Sequence, residues 1–227
     1  MTLSRHDLEQ GRMRELYVAA VAPGHALDDT ALASSLAATL ARKPKGAGWW
    51  VFAYGSLLWN PIFPIAEQRV AIVHGLHRRF CLRSLAARGT RERPGLVLGL
   101  EPGGACRGVL LRLPSTLARE DLKLLWRREM VVGSYRPVWV RARAGARTVT
   151  ALAFVVRRDH PQYARLSLDQ EADTIATACG AFGSSCDYLM HTRTALAGYG
   201  IVDRYLERVA DAVRLTQRGG GARRGKK

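Results

Sequence analysis

Trp49-Trp50-Val51-Phe52-Ala53-Tyr54-Gly55-Ser56-Leu57-Leu58-Trp59-Asn60-Pro61 is the stretch around which the chain is arranged. It opens as an apolar, aromatic run, which reads as a buried strand. It ends at Gly55-Ser56 and turns at Asn60-Pro61. Gly55 lets the main chain come close to a ligand, so the corner offers bare backbone N–H groups. Such a nest suits a carboxylate or another anionic oxygen. The same residues also fit a core strand followed by an ordinary turn, and the rest of the chain has to decide.

Downstream, short apolar runs continue: Val70–His74, Arg79–Arg83, Gly95–Leu100, Cys106–Leu113, Val138–Ala142 and Val149–Val156. Pro102-Gly103-Gly104 reads as a turn. Many short strands separated by Gly/Pro turns point to a closed or nearly closed sheet. One helix interrupts them, with Ser115 as its expected N-cap and Glu129 near its end. From 161 to 215 the pattern is helical: Asp169–Cys179, a helix opened by Ser184-Ser185-Cys186-Asp187, and Asp203–Leu215. Upstream, residues 1–45 read as two helices. The first is opened by Ser4 and Asp7 and stopped by Pro23-Gly24; the second is capped by Asp28-Asp29. The class is therefore α+β, with a β-rich middle and helices at both ends. The expected organisation is a helical extension at 1–45, a catalytic body at 49–215 and a disordered basic tail at 216–227.

The chain has 227 residues, enough for one large core, and an ordinary apolar share. Its basicity is unusual: 35 Lys+Arg against 19 Asp+Glu, net +16. The tail contributes Arg218, Arg223, Arg224, Lys226 and Lys227, yet the body without it is still strongly basic. That charge fits nucleic acid, an anionic membrane surface or a small anionic substrate. The cysteines at 81, 106, 179 and 186 lack CxxC spacing and neighbouring histidines at ligand spacing. They read as free buried thiols in a reducing cytosol. The N-terminus carries Asp7 and Glu9 and no apolar h-region, so it does not read as a signal peptide. No run approaches a membrane span, so no membrane insertion is expected.

Glu129 is the ionisable group most placed for chemistry. It stands in Leu124-Leu125-Trp126-Arg127-Arg128-Glu129-Met130-Val131-Val132, where an acid is desolvated and its pKa raised toward general-base work. The alternative is a salt bridge to Arg127, Arg128 or another arginine. There is no G-x-S-x-G elbow, no P-loop and no G-x-G-x-x-G. The six histidines form no metal set. Arg88-Gly89-Thr90 with Arg91 and Arg93 is a basic loop, read either as solvated or as a lid or anion contact beside the site.

In order along the chain stand Val51 to Pro61, Arg78-Arg79-Phe80, Arg88-Gly89-Thr90 with Pro94-Gly95, Cys106-Arg107-Gly108-Val109, Arg128-Glu129-Met130 with Gly133-Ser134-Tyr135, and Asp187-Tyr188-Leu189. Together these motifs resemble the ChaC family of γ-glutamylcyclotransferases, in its bacterial branch. The resemblance implies a small mixed β-barrel flanked by helices, with the Tyr-Gly-Ser-Leu loop at its mouth. It implies cleavage of glutathione to 5-oxoproline and Cys-Gly in the cytoplasm, with no metal and no organic cofactor. It places Glu129 as the catalytic acid/base, and Tyr54, Gly55, Ser56 and Leu57 around the γ-glutamyl group. Tyr135 and Arg88 are expected at the same substrate. Ala53 stands where many relatives carry Gly, and Ala86-Ala87 where some animal relatives carry Asp-His. These departures bear on affinity or substrate choice more than on the basic chemistry. Other readings are a cyclotransferase for other γ-glutamyl peptides or amines, a silent γ-glutamyl binder, and a basic nucleic-acid-binding protein.

Overall fold

The computed structural model describes residues 3–22 and 25–224. In chain order its helices are α1 (Arg5–Glu9), α2 (Arg12–Ala20), α3 (Asp29–Ala41), α4 (Ala118–Glu129), α5 (Leu168–Thr177), α6 (Ser185–Gly198) and α7 (Arg204–Arg224). The strands are β1 (Trp50–Ala53), β2 (Glu67–Ser84), β3 (Gly95–Arg112), β4 (Tyr135–Ala144), β5 (Arg147–Val156) and the short pair β6 (Cys179–Gly180) and β7 (Gly183–Ser184). All four residues of β1 are buried, as an apolar run with no polar alternation requires. β1 runs antiparallel to β3, with Phe52 opposite Leu110, and meets β5 in parallel at Val51 and Leu152. The order β1-β3-β2-β4-β5 thereby closes into a barrel. Phe52, Phe80, Leu98, Leu110 and Phe154 on its strands are nearly inaccessible to solvent.

The barrel is built on two long strands rather than on four short ones. β2 and β3 pair from Glu67–Arg112 to Ser84–Gly95, with register shifts between His74 and Leu76 and between Phe80 and Leu82. The stretch Pro102-Gly103-Gly104, expected as a turn, is a bend inside β3. Gly75, Gly103 and Gly104 take positive φ of 80°, 107° and 65° opposite one another. Glycines in that conformation bulge and bend a strand without ending its ladder.

Other boundaries differ for equally local reasons. The first N-terminal helix is divided in two at Gly11, whose φ of 74° takes the chain out of the right-handed helix. The expected stop at Pro23-Gly24 lies outside the described residues; α2 already ends at Ala20. Ser115 does not cap α4. The helix begins after Leu117 with no side-chain cap, and Glu120 and Asp121 offset its N-terminal dipole. α5 and α6 are both opened by capping boxes, Ser167 with Gln170 and Ser184 with Asp187. The stretch expected as a basic tail from 216 is drawn as part of α7 as far as Arg224. Thr216 donates to Asp173 (3.1 Å) and Gln217 to Cys186 (3.8 Å), which ties the helix to α5 and α6 past its last buried residue. Residues 225–227 lie outside the described residues. The cysteines are free, but only Cys81 and Cys106 are buried; Cys179 is exposed. Among the described residues, no helix is long and apolar enough to cross a membrane.

The N-terminal helices share the core of the body. Leu8 is fully buried and Leu32 nearly so. Trp126 of α4 donates to Ser35 (3.3 Å), and Trp139 of β4 donates to the Thr39 carbonyl (3.0 Å).

Candidate active site

Where β1 ends, two bonds fix the corner. The Tyr54 carbonyl accepts from Arg78 Nη1 at 2.8 Å, and the Tyr54 hydroxyl donates to the Phe154 carbonyl at 2.7 Å. Arg78 is itself buried, its Nε 2.9 Å from Asp203 Oδ2 ahead of α7. Gly55 follows, and a Cβ there would lie 2.7 Å from the Tyr188 hydroxyl, so that a larger residue would force the ring or the loop to shift. The chain then makes a single 3-10 turn, Ser56–Leu58, whose first bond runs from Leu58 N–H to the Gly55 carbonyl (3.0 Å). The N–H groups of Gly55, Ser56 and Leu57 precede that bond and have no partner within the turn.

Glu129 is the last residue of α4. Burial raises its pKa above the usual carboxylate range, and the Arg128 guanidinium opposes that rise. The C-terminal carbonyls of α4 act in the same direction as burial, because they disfavour a negative charge. Desolvation and ion pairing, alternatives from sequence, are both present. Arg128 Nε lies 3.1 Å from Glu129 Oε1, with the two side chains 6% and 14% exposed. The same guanidinium donates to Ser56 Oγ (2.7 Å) and to the Asn60 carbonyl (2.6 Å). Arg128 thus ties the carboxylate to the far side of the Gly-Ser corner with its planar fork.

After α4, Gly133 turns the chain with φ of 65° and Tyr135 begins β4. The Tyr135 hydroxyl donates to the Leu98 carbonyl at 2.8 Å. Like Tyr54, it uses its proton on the barrel backbone and presents its ring to the cavity. Tyr188, on α6, closes the opposite side, edge-on to Trp59 and Phe80 at centroid distances of 5.9 and 6.1 Å. Burial pushes its hydroxyl up to about 12, and the Glu129 carboxylate adds to the shift.

These residues line two adjacent chambers that share Ser56, Glu129, Tyr135 and Tyr188. The inner one is small and is walled by Tyr54, Gly55, Ser56, Leu57, Glu129, Tyr135 and Tyr188. The outer one, ≈ 730 Å³ and open to solvent, has Ser56, Glu129, Tyr135 and Tyr188 at its inner end and Arg88 along its side. Arg88 is not a solvated loop residue: it is 7% exposed, its guanidinium stacked 5.4 Å from the Trp59 ring and 5.7 Å from the Tyr188 ring. Its backbone is stapled on both sides, its N–H donating to Ser84 Oγ (2.9 Å) and its carbonyl accepting from Ser185 Oγ (3.1 Å). Desolvation lowers its pKa from the usual arginine value, and Tyr188 and Asp187 oppose that shift. Arg91 and Arg93 of the same loop are exposed. Six of the seven residues singled out from sequence line the inner chamber, and Arg88 lines the outer one. Arg128, Tyr188 and Arg78 were present in the sequence motifs, but only the packing shows what they do.

Residues 49–216 match the family model described as ChaC-like protein. The chain belongs to the ChaC-like family. Among its ChaC-like and cyclotransferase relatives, the glutathione-specific γ-glutamylcyclotransferase of Escherichia coli (strain K12) is 42% identical over 75% of this chain and 75% of its own length. The glutathione-specific γ-glutamylcyclotransferase 1 of Homo sapiens is 31% identical, over 72% of this chain and 78% of its own. A crystal structure of the yeast cyclotransferase specific to glutathione superposes with a TM-score of 0.67 at 25% identity, over 74% of this chain and 96% of that one.

Proposed function

We propose that this ChaC-like chain is a γ-glutamylcyclotransferase that converts glutathione to 5-oxoproline and Cys-Gly. The observation that carries the reading is Glu129: a desolvated carboxylate, clamped by Arg128, facing an unpartnered backbone corner across a small chamber. A γ-glutamyl group carries its own nucleophile, the α-amine. Attack of that amine on the γ-carbonyl closes a five-membered lactam and expels the Cys-Gly amine, so no protein nucleophile is required. Folding the substrate into a ring-closing pose can supply about 7 kcal/mol or more. The inner chamber supports such a pose because the rings of Tyr54, Tyr135 and Tyr188 bound it. Glu129 takes a proton from the α-ammonium and returns it to the leaving nitrogen as the C–N bond breaks, and its raised pKa suits both transfers; the second proton, shed as the lactam closes, goes to solvent, from which the released Cys-Gly amine regains its charge. The N–H groups of Gly55 to Leu57 receive the α-carboxylate or the developing oxyanion. Arg88, a buried cation beside the outer chamber, suits the carboxylate of the Cys-Gly half. The protein's net charge of +16 helps to gather an anionic peptide. Trp50, Phe52, Phe80, Trp126 and Phe154 are buried and offer no face to nucleic acid.

The test is release of 5-oxoproline and Cys-Gly from glutathione by the purified chain, with and without EDTA. Stoichiometric, EDTA-resistant release is expected. A folded protein that releases neither product from glutathione, but does release 5-oxoproline from other γ-glutamyl peptides or amines, would move the substrate and keep the reaction. No release from any γ-glutamyl compound would sink the reading.

A further inference from the structure

Three side chains of the outer chamber come from outside the family-matched region, which spans residues 49–216. They are Leu3, Met13 and Tyr17, from the N-terminal segment and α2. Sequence reading left this segment without chemistry. The structure makes it a fixed wall. Arg5 Nη1 donates to the fully buried Asp121 at 2.7 Å, and Asn60 Nδ2 donates to the Leu3 carbonyl at 2.8 Å. Asn60 also accepts from Arg128, so one residue joins the N-terminal segment to the clamp on Glu129. Tyr17 is 7% exposed and Met13 8%. The Tyr17 hydroxyl lies 3.5 Å from Ser84 Oγ, the oxygen that also accepts from the Arg88 N–H. Burial raises the Tyr17 pKa, and the Glu129 carboxylate contributes to that rise, which brings both ends of the chamber into its surroundings.

Glu129 borders both chambers. If the γ-glutamyl half occupies the inner one and the scissile bond lies at Glu129, the leaving half must extend into the outer one. We infer that α2, through Tyr17 and Met13, forms the subsite for the leaving dipeptide and helps set which γ-glutamyl compounds are accepted. The inference rests on the cyclotransferase reading for its ligand. Tyr17 supplies an aromatic face and Met13 a polarisable thioether, surfaces that fit a short peptide carrying a thiol. Arg88 lies along the same chamber for its terminal carboxylate. Tyr17 and Met13 are specificity-determining residues in this account, not participants in proton transfer.

The experiment titrates wild type, Tyr17→Phe and Tyr17→Ala with Cys-Gly and, separately, with 5-oxoproline. Binding is followed by calorimetry, so that no turnover is needed. Tyr17→Ala should weaken Cys-Gly about tenfold and leave 5-oxoproline within about twofold, while Tyr17→Phe, which keeps the ring, stays near wild type. Met13→Ala, a smaller change on the same wall, carries the same expectation if Tyr17→Ala does not fold. Unchanged Cys-Gly binding, equal weakening of both products, or no Cys-Gly binding by wild type would overturn the inference. Tyr17-dependent Cys-Gly binding by a protein that does not cleave glutathione would keep the subsite and reject the reaction.

Discussion

Replacing Glu129 with glutamine removes a proton acceptor and almost nothing else. The amide is nearly isosteric, and its oxygen can still accept from Arg128 Nε, which lies 3.1 Å from Glu129 Oε1. Arg128 keeps its bonds to Ser56 and Asn60, so the corner at Gly55 should hold its shape. Loss of general acid/base catalysis is expected to lower turnover by about 10²–10⁴-fold, roughly 3–5 kcal/mol of transition-state stabilisation. Stability should move the other way with pH. Burial raises the Glu129 pKa, so the folded state favours the protonated form. That contribution is full below the unfolded pKa and is lost as pH rises through the folded one. Glutamine does not titrate. The variant should therefore gain stability relative to wild type as pH climbs through that window. Wild-type activity should fall as pH drops through the same window, at a higher pH than an unperturbed glutamate would give. The assay is 5-oxoproline release across pH, paired with urea denaturation of both proteins at each pH. A variant that keeps turnover within threefold of wild type would refute the assignment. So would a turnover loss matched by a loss of folded protein, because the reasoning requires an intact site.

Gly55→Ala sets a Cβ 2.7 Å from the Tyr188 hydroxyl, so either ring or loop must shift. It should cost about 1–3 kcal/mol by thermal denaturation and lower kcat/KM further than that loss explains. Arg128→Lys keeps the charge but cannot serve Glu129, Ser56 and Asn60 together. Stability should fall by about 1–3 kcal/mol, and kcat should drop more than KM rises. Arg5→Ala leaves Asp121, whose side chain is fully buried and whose Oδ2 already lacks a partner, without its ion pair. Urea denaturation should register about 1–3 kcal/mol, against about 0.5 or less for Lys123→Ala, which breaks an exposed pair with Glu120.

The sequence motifs carried the class and the chemistry because each is local. An apolar strand breaking at Gly55-Ser56 reads as a corner in one dimension, and an acid among Leu125, Trp126, Met130 and Val131 reads as desolvated. Strand lengths were less legible. Gly103-Gly104 signals a positive φ, but whether that makes a turn or a bulge depends on Gly75, nearly thirty residues away, bending the partner strand opposite them. The N-terminal segment was the least legible. Nothing in Met13 or Tyr17 separates a residue packing on the core from one lining a cavity, since both need an apolar face at helical spacing.

By itself, then, the sequence determined the α+β class, the apolar strand with its Gly-Ser corner, and a carboxylate placed in apolar surroundings at Glu129. These follow from residue type and near neighbours. The tertiary structure alone decided that Arg128 clamps that carboxylate to the corner, that the Tyr188 hydroxyl crowds position 55, and that Arg88 is stacked and buried instead of solvated. It also decided that α2 walls the outer chamber. Each of these is a contact between distant parts of the chain, and closure of the barrel at Val51 and Leu152 is what brings those parts within reach.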